Sequence, residues 1–261
     1  MITALFSAAT GMNAQETNIN VTANNLANVN TTGFKRSRVN FQDLFYQNAR
    51  AVGSSATEDT EVPTGIQVGL GTRVVAVEKI YTVGDFEKTG SDLDLAIEGD
   101  GFFQVNIPNG ETAYTRDGSF KKDSMGRLVT ADGNPLVPEI VIPQNATKLA
   151  IGKDGTVVVY MDDESQGMEI GIVELARFGN PSGLKSLGSN FHQESVSSGA
   201  PILGAPGSQG FGTLAQGFLE RSNVSVMQEM INLIAGQRAY EINSKAIKTA
   251  DEMLQQTNQL I

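Results

Sequence analysis

The chain has 261 residues, enough to bury a substantial core in one or two domains. It has no cysteine, which excludes a disulfide framework, a thiolate nucleophile and a cysteine metal site. Its 19 basic and 29 acidic side chains give a net charge of −10, which argues against nucleic acid or an anionic membrane as partner.

Charge is unevenly spread. Residues 1–50 and 223–261 are together close to neutral, while 51–222 carry twelve basic against 23 acidic side chains. Neutral ends and an acidic middle suit ends packed inside an assembly and a solvated middle. No apolar run approaches the roughly 18 residues needed to span a bilayer, and residues 1–10 lack a basic leader and a small-residue cleavage site. Neither membrane insertion nor a cleaved secretory signal is expected.

From the N-terminus, Ile2, Leu5, Ala9, Met12, Ile19, Ala23 and Leu26 recur at gaps of three and four, with Glu16 breaking the seam. That pattern predicts a helix, with Thr31, Thr32 and left-handed Gly33 expected to stop it. Glu16 is the only charge between Ile2 and Val29. The polar face is Asn13, Gln15, Thr17, Asn18, Asn20, Asn24, Asn25 and Asn28, and neutral amides suit surfaces that become dry against other protein. After the helix, Lys35, Arg36 and Arg38 read as a solvated exit, and Phe41, Leu44, Phe45 and Tyr46 as anchors joining helix to body. From Ala51 to Thr64 the composition turns to Gly, Ser, Thr, Glu and Pro, predicting an exposed arm that orders only against a neighbour.

From Ile66 the period changes to two. Short apolar runs separated by turn signals, such as Asp117-Gly118, Met125-Gly126, Asp132-Gly133 and Asp154-Gly155, predict a mostly antiparallel β domain over 84–178. Residues 179–221 return to Gly, Pro and Ser and read, with 34–83, as an irregular connector, with one further strand expected over Leu214 to Leu219 before the last helix. The last stretch is a second long amphipathic helix, opened by capping-box spacing at Ser225 and Gln228. One stripe is Val226, Met230, Leu233, Tyr240, Ile247, Leu254 and Ile261; beside it run Ile231, Ala235, Ala239, Ile242, Ala246, Ala250 and Met253. Two adjoining stripes need more than one neighbour. The fold class expected is α+β: terminal helices from 1–33 and 222–261 packing as a coiled coil, with an inserted β domain. The candidate assembly residues are Leu5, Met12, Ile19, Asn24, Asn25, Leu26, Asn28, Val226, Met230, Leu233, Ala239, Tyr240, Ile242, Ile247 and Leu254.

No chemistry comparable in strength emerges. His192 is the only histidine and reads as a surface residue, which rules against a catalytic triad or a multi-histidine metal site. Gly69-Leu70-Gly71 and Gly99-Asp100-Gly101 lack the third glycine of a nucleotide loop, and Asp162, Asp163 and Glu164 read as a solvated turn rather than a calcium loop. No cofactor and no metal is expected. A carboxylate pair meeting in space, as in a cell-wall glycan hydrolase, and a soluble coiled-coil adaptor of fixed size stay open as alternatives.

ANNLANVNTTGFKR (Ala23 to Arg36) and QRAYEINSKAIKTADEMLQ (Gln237 to Gln255) resemble the terminal signatures of the flagellar rod and hook axial proteins. GDGFFQV (Gly99 to Val105), AYTRDGSF (Ala113 to Phe120) and GRLVTADGNPLVP (Gly126 to Pro138) are similar to their shared β domain. Length and the segment near 47–71 look most like the distal-rod members, with proximal-rod and hook members as the alternative. The resemblance implies a non-enzymatic tubular homo-polymer with helices inside and β domain outside, exported by the flagellar type III apparatus. It would form a torque-transmitting shaft across the periplasm in the basal body. Implied partners are proximal-rod and hook subunits at its two ends and the surrounding outer-membrane and peptidoglycan ring proteins. An arm carrying Gln47, Ser54, Glu61, Pro63 and Gly65 would then reach an axial neighbour and stiffen the tube. Helix faces too wide for one partner further imply ends that are loosely ordered until subunits stack.

Overall fold

The computed structural model describes residues 2–50, 55–57, 60–61, 64–108, 110–161 and 167–259. The chain is α+β, with two long helices, α1 (Ile2–Ala27) and α2 (Val226–Gln259), and strands that all pair antiparallel. It divides into two compact units. One comprises residues 1–27, 37–79 and 225–261, the other 28–36 and 80–224.

In the first unit α1 packs against α2 and against the pair of strands Ser37–Asp43 and Thr72–Lys79. Asn25 fixes the junction. Its Oδ1 accepts the Ser37 N–H and its Nδ2 donates to the Ser37 carbonyl, both at 2.8 Å, so one carboxamide pairs the strand backbone as a neighbouring strand would. Higher up, α1 meets the turn at Gly71 (φ +116), where a Cβ would fall 2.1 Å from Thr10 Oγ1. Only a glycine lets the backbone come that close. Beyond this pair, Tyr46–Arg50 runs against Ile66–Gly69 with Gln47 opposite Val68, and Ser55–Thr57 against Thr60–Glu61. The described part of the arm is therefore a paired ribbon.

Two expectations for the helices need correction. The first helix ends at Ala27, ahead of Gly33, because Asn28 and Thr31 close a turn: the Thr31 N–H reaches the Asn28 carbonyl at 3.2 Å and its hydroxyl reaches Asn28 Oδ1 at 3.1 Å. Gly33 is left-handed (φ +67) for another reason. It lies against the Arg116–Asp117 backbone, 2.6 Å from where its Cβ would sit, inside the β unit. At α2, Ser225 does accept the first helical bond, from the Glu229 N–H. Gln228 turns forward to Asn232 Oδ1 at 3.1 Å instead of back to Ser225, so the reciprocal cap is not made.

The second unit is built on a seven-stranded sheet. Its order is Lys185–Gly188, Phe191–Gln193, Thr112–Thr115, Phe102–Asn106, Leu175–Arg177 and Ile202–Gly204, with Leu136–Val137 also paired to Phe102–Asn106. Phe103, Leu95, Ile97, Phe120, Leu128, Leu136, Ile140, Val157, Val159, Leu175 and Leu214 form its main core. Each such side chain contributes about 1.5–3 kcal/mol of transfer free energy. The stretch 179–221 is not irregular: it supplies three strands of this sheet and the further strands Thr213–Gln216 and Phe218–Glu220. Its Gly, Pro and Ser residues punctuate those strands, and Gly188, Gly199, Gly207, Gly210 and Gly217 all take positive φ.

That sheet also corrects the reading of His192. It is 5% exposed, with Ser186 Oγ 3.4 Å from Nδ1 and the rings of Tyr81 and Phe102 at 5.9 and 6.2 Å. Lys35 likewise is no solvated exit. It is buried in the β unit, donating to Glu220 and, at 2.7 Å, to the Thr82 carbonyl. Desolvation holds its pKa below the usual lysine value, against the opposing pull of Glu220.

Candidate assembly surface

The two helices run antiparallel. Gly11 of α1 faces Asn243 of α2, Ile19 faces Gly236, and Asn25 Nδ2 reaches Glu229 Oε2 at 3.4 Å. A Cβ on Gly11 would sit 2.9 Å from Asn243 Nδ2, and one on Gly236 3.0 Å from Ile19 Cγ1. The backbones thus approach at two glycines, one on each helix. Along α2 the line turned inward is Glu229, Gly236, Asn243 and Ala250, one residue every seven, half-buried at Asn243 and buried elsewhere. It is small or polar. Among the described residues, Ala8, Ala14 and Ala250 are the only buried apolar side chains on either helix.

Because the inward line is made of small residues, the large apolar side chains of α2 point elsewhere. Met227 is 76% exposed and Ile242 67%, and Val226, Met230, Ile231, Ile234, Tyr240 and Met253 are exposed with them. Leu233, Ala239, Ile247 and Leu254 are half-buried along the border of the seam. On α1, Leu5, Met12, Ile19 and Leu26 are half-buried, Asn25 is buried, Asn24 is exposed, and Asn28 lies half-buried in the turn after the helix. The candidate residues therefore divide. Val226, Met230, Tyr240 and Ile242 are exposed, as is Asn24, Asn28 lies in the turn after α1, and the rest lie in or beside the intrachain seam.

Sequence reasoning missed the seam itself, since Glu229, Gly236 and Asn243 carry no hydrophobic signal; their seven-residue spacing was the clue available. It also misjudged the aromatics after α1. Phe45 is 87% exposed, and Phe41, Tyr46, Ile66 and Val68 are exposed too, so they form no buried anchor and add a second open apolar surface. Of the arm residues, Gln47 is exposed in its strand, Glu61 lies in Thr60–Glu61, and Gly65 precedes Ile66–Gly69. Ser54 and Pro63 lie outside the described residues, as do Ile261 and the acidic turn at Asp162, Asp163 and Glu164.

Surfaces of this kind suit protein contact. Among the described residues no group of three or more His, Asp or Glu side chains is placed to hold a metal ion, and no helix is long and apolar enough to cross a membrane.

Comparison with known proteins agrees in extent and order. Residues 5–35 match the flagella basal body rod protein family, 96–159 the flagellar hook protein FlgE/F/G D1 domain, and 215–260 the flagellar basal body rod FlgEFG protein C-terminal family. Flagellar basal-body rod protein FlgG of Buchnera aphidicola subsp. Schizaphis graminum is 52% identical over the whole of both chains. The FlgG proteins of Borreliella burgdorferi and Bacillus subtilis are 49% and 41% identical, covering 100% and 98% of this chain and 99% and 98% of their own. With terminal helices, β unit and full-length identity all in agreement, the chain belongs to the flagellar basal-body rod protein family, as a structural component of the bacterial flagellum.

Proposed function

We propose that this chain polymerises into the straight, tubular distal rod, with the open face of α2 seated on neighbouring copies and the β unit outward, and that it transmits torque without catalysing a reaction. One observation carries the reading. A 34-residue helix packs on α1 at Gly236 and Asn243 while Met230, Ile231, Ile234 and Ile242 stay in water. An exposed apolar stripe of that length marks a protein contact, and a head-to-tail contact that does not close produces a filament. In that polymer α1 and α2 act as a coiled coil completed by other subunits. The exposed ribbon Tyr46–Arg50 and Ile66–Gly69, with the arm beyond it, reaches an axial neighbour and resists the sliding that lets a tube bend. Proximal-rod and hook subunits meet the two ends and ring proteins surround the shaft across the periplasm.

The test is assembly of the purified chain, followed by sedimentation and electron microscopy. Straight rods from the unaltered chain and only monomers from Ile242→Asp, with an unchanged thermal transition for the β unit, are the expected results. Closed oligomers of fixed size, or rods formed equally well by Ile242→Asp, would overturn it.

A further inference from the structure

The β unit contains a buried group of charges that does not balance. Lys35 and Arg116 share the single carboxylate of Glu220, with Arg116 Nη1 3.4 Å from Oε2. Arg116 also donates through Nη2 to the Gly99 carbonyl at 2.8 Å and lies over the Phe102 ring at 5.4 Å. Its Nε has no partner among the described residues, although the side chain is almost wholly buried. Beside it a cavity of about 310 Å3 is lined by Tyr81, Asp100, Phe102, Arg116, Arg177 and Phe178, among others. The Tyr81 hydroxyl is the second buried donor without a partner there. Burial pushes its pKa above the ordinary tyrosine value, so it stays protonated and able to donate. Arg177, on the same wall, spends one N–H on the Gly210 carbonyl at 3.0 Å.

Orphaned buried donors call for an acceptor, since each costs about 1–3 kcal/mol while unpaired. Arg116 and Arg177 line the cavity against Asp100, and Glu220 behind them is already shared between Arg116 and Lys35, on a chain whose net charge is −10. The guanidinium edge at Nε, a phenol and flanking aromatic rings are the donor set that holds a carboxylate. We propose that this pocket receives an acidic side chain from a second copy of the chain. A positive pocket on a strongly acidic protein is complementary to that protein's own surface, which is what commits the occupant to a sister subunit. The inference rests on the polymer proposed above and adds a contact made by the β unit, independent of the helices.

The experiment follows polymer growth of the full chain by light scattering, comparing the unaltered protein with Tyr81→Phe and Arg177→Glu. Losing one hydrogen bond slows growth about 3- to 10-fold for Tyr81→Phe, and reversing a wall charge slows it at least about 30-fold for Arg177→Glu. Glutarate, at an ionic strength matched with chloride, inhibits growth of the unaltered chain, and glutaramide does not. Growth of both variants at the unaltered rate with no inhibition by glutarate overturns the pocket. Glutarate that raises the melting temperature but leaves growth unchanged overturns the sister subunit as occupant. Tyr81→Phe, which removes only a hydroxyl, keeps the test decisive should Arg177→Glu misfold. If the unaltered chain forms no rods at all, the failure belongs to the rod reading and not to this one.

Discussion

Lys35 Nζ and Glu220 Oε1 lie 2.5 Å apart, each side chain 1% exposed. The two residues are 185 positions apart, one where the chain enters the β unit and the other where it leaves. Around the pair, the Gly84 N–H donates to Glu220 Oε1 at 3.0 Å and the Gly33 N–H to the Glu220 carbonyl at 2.8 Å. Both strands of passage are thereby held to one carboxylate and one peptide group. This clasp ties the incoming and outgoing chain together at a point that water does not reach.

Two cations on one anion make the clasp asymmetric. Glu220→Gln leaves Lys35 and Arg116 buried with only the exposed Asp100 as counter-charge and should cost about 3–5 kcal/mol. Lys35→Met leaves Arg116 and Glu220 as a balanced pair and should cost less, about 1–3 kcal/mol for the lost bond to Thr82 and the carboxylate. Urea denaturation of the β unit measures both, and an equal or reversed order would refute the assignment.

How far the sequence alone reached follows from what each contact is made of. Helix and strand periods, and turns such as Asp132-Gly133, are written in hydrophobicity and in residues that take positive φ, so the two helices and most strands of 84–178 could be read directly. The seam of Glu229, Gly236, Asn243 and Ala250 could not, because close approach selects small size and size has no hydropathy. The strands at 185–193 were hidden because Ser and Gly surround Phe191 and His192, whose burial depends on pairing with Tyr114 and Thr115 far earlier in the chain. Lys35 misled for a related reason: a charge cluster looks solvated until the residue that neutralises it, here 185 positions away, is known.

The glycines at the helix crossing give a graded prediction. Gly236→Ala gains about 1 kcal/mol of helix propensity and meets Ile19 Cγ1 at 3.0 Å, a contact that a shift of a few tenths of an ångström relieves, so its net effect should stay within about 1 kcal/mol. Gly11→Ala meets the end of Asn243 at 2.9 Å and should behave alike. Gly236→Leu or Gly11→Leu must push the helices apart, and polymer mass by sedimentation should fall sharply for both. Leucine variants that assemble normally would show that the crossing is not needed.

A seam whose fully buried apolar side chains are, among the described residues, alanines alone stabilises two helices weakly, since burial energy scales with apolar area. In the monomer, limited proteolysis should therefore cut within residues 1–30 and 225–261 well before 80–224. In rods the same sites should be protected. Equal resistance of the terminal helices and the β unit in the monomer would rule out the coupling of their order to assembly.

Asp123 provides a pH test confined to one turn. Its carboxylate is held below the ordinary value of 3.8 by a hydrogen bond from Arg127, with the Ser124 backbone N–H and hydroxyl adding to it. A folded pKa below the unfolded one means that the ionised form is favoured by folding, so its contribution is present above about pH 3.8 and is lost as pH falls through the folded value. Asp123→Asn should be less stable than the unaltered chain at pH 7, and the two should converge as the pH drops below 3.8. Because the group is exposed, the gap should be small and should shrink in high salt. Chemical denaturation of both proteins between pH 7 and pH 3 reads the difference directly, and a gap that did not change with pH would show that the Arg127 contact contributes nothing to the hairpin.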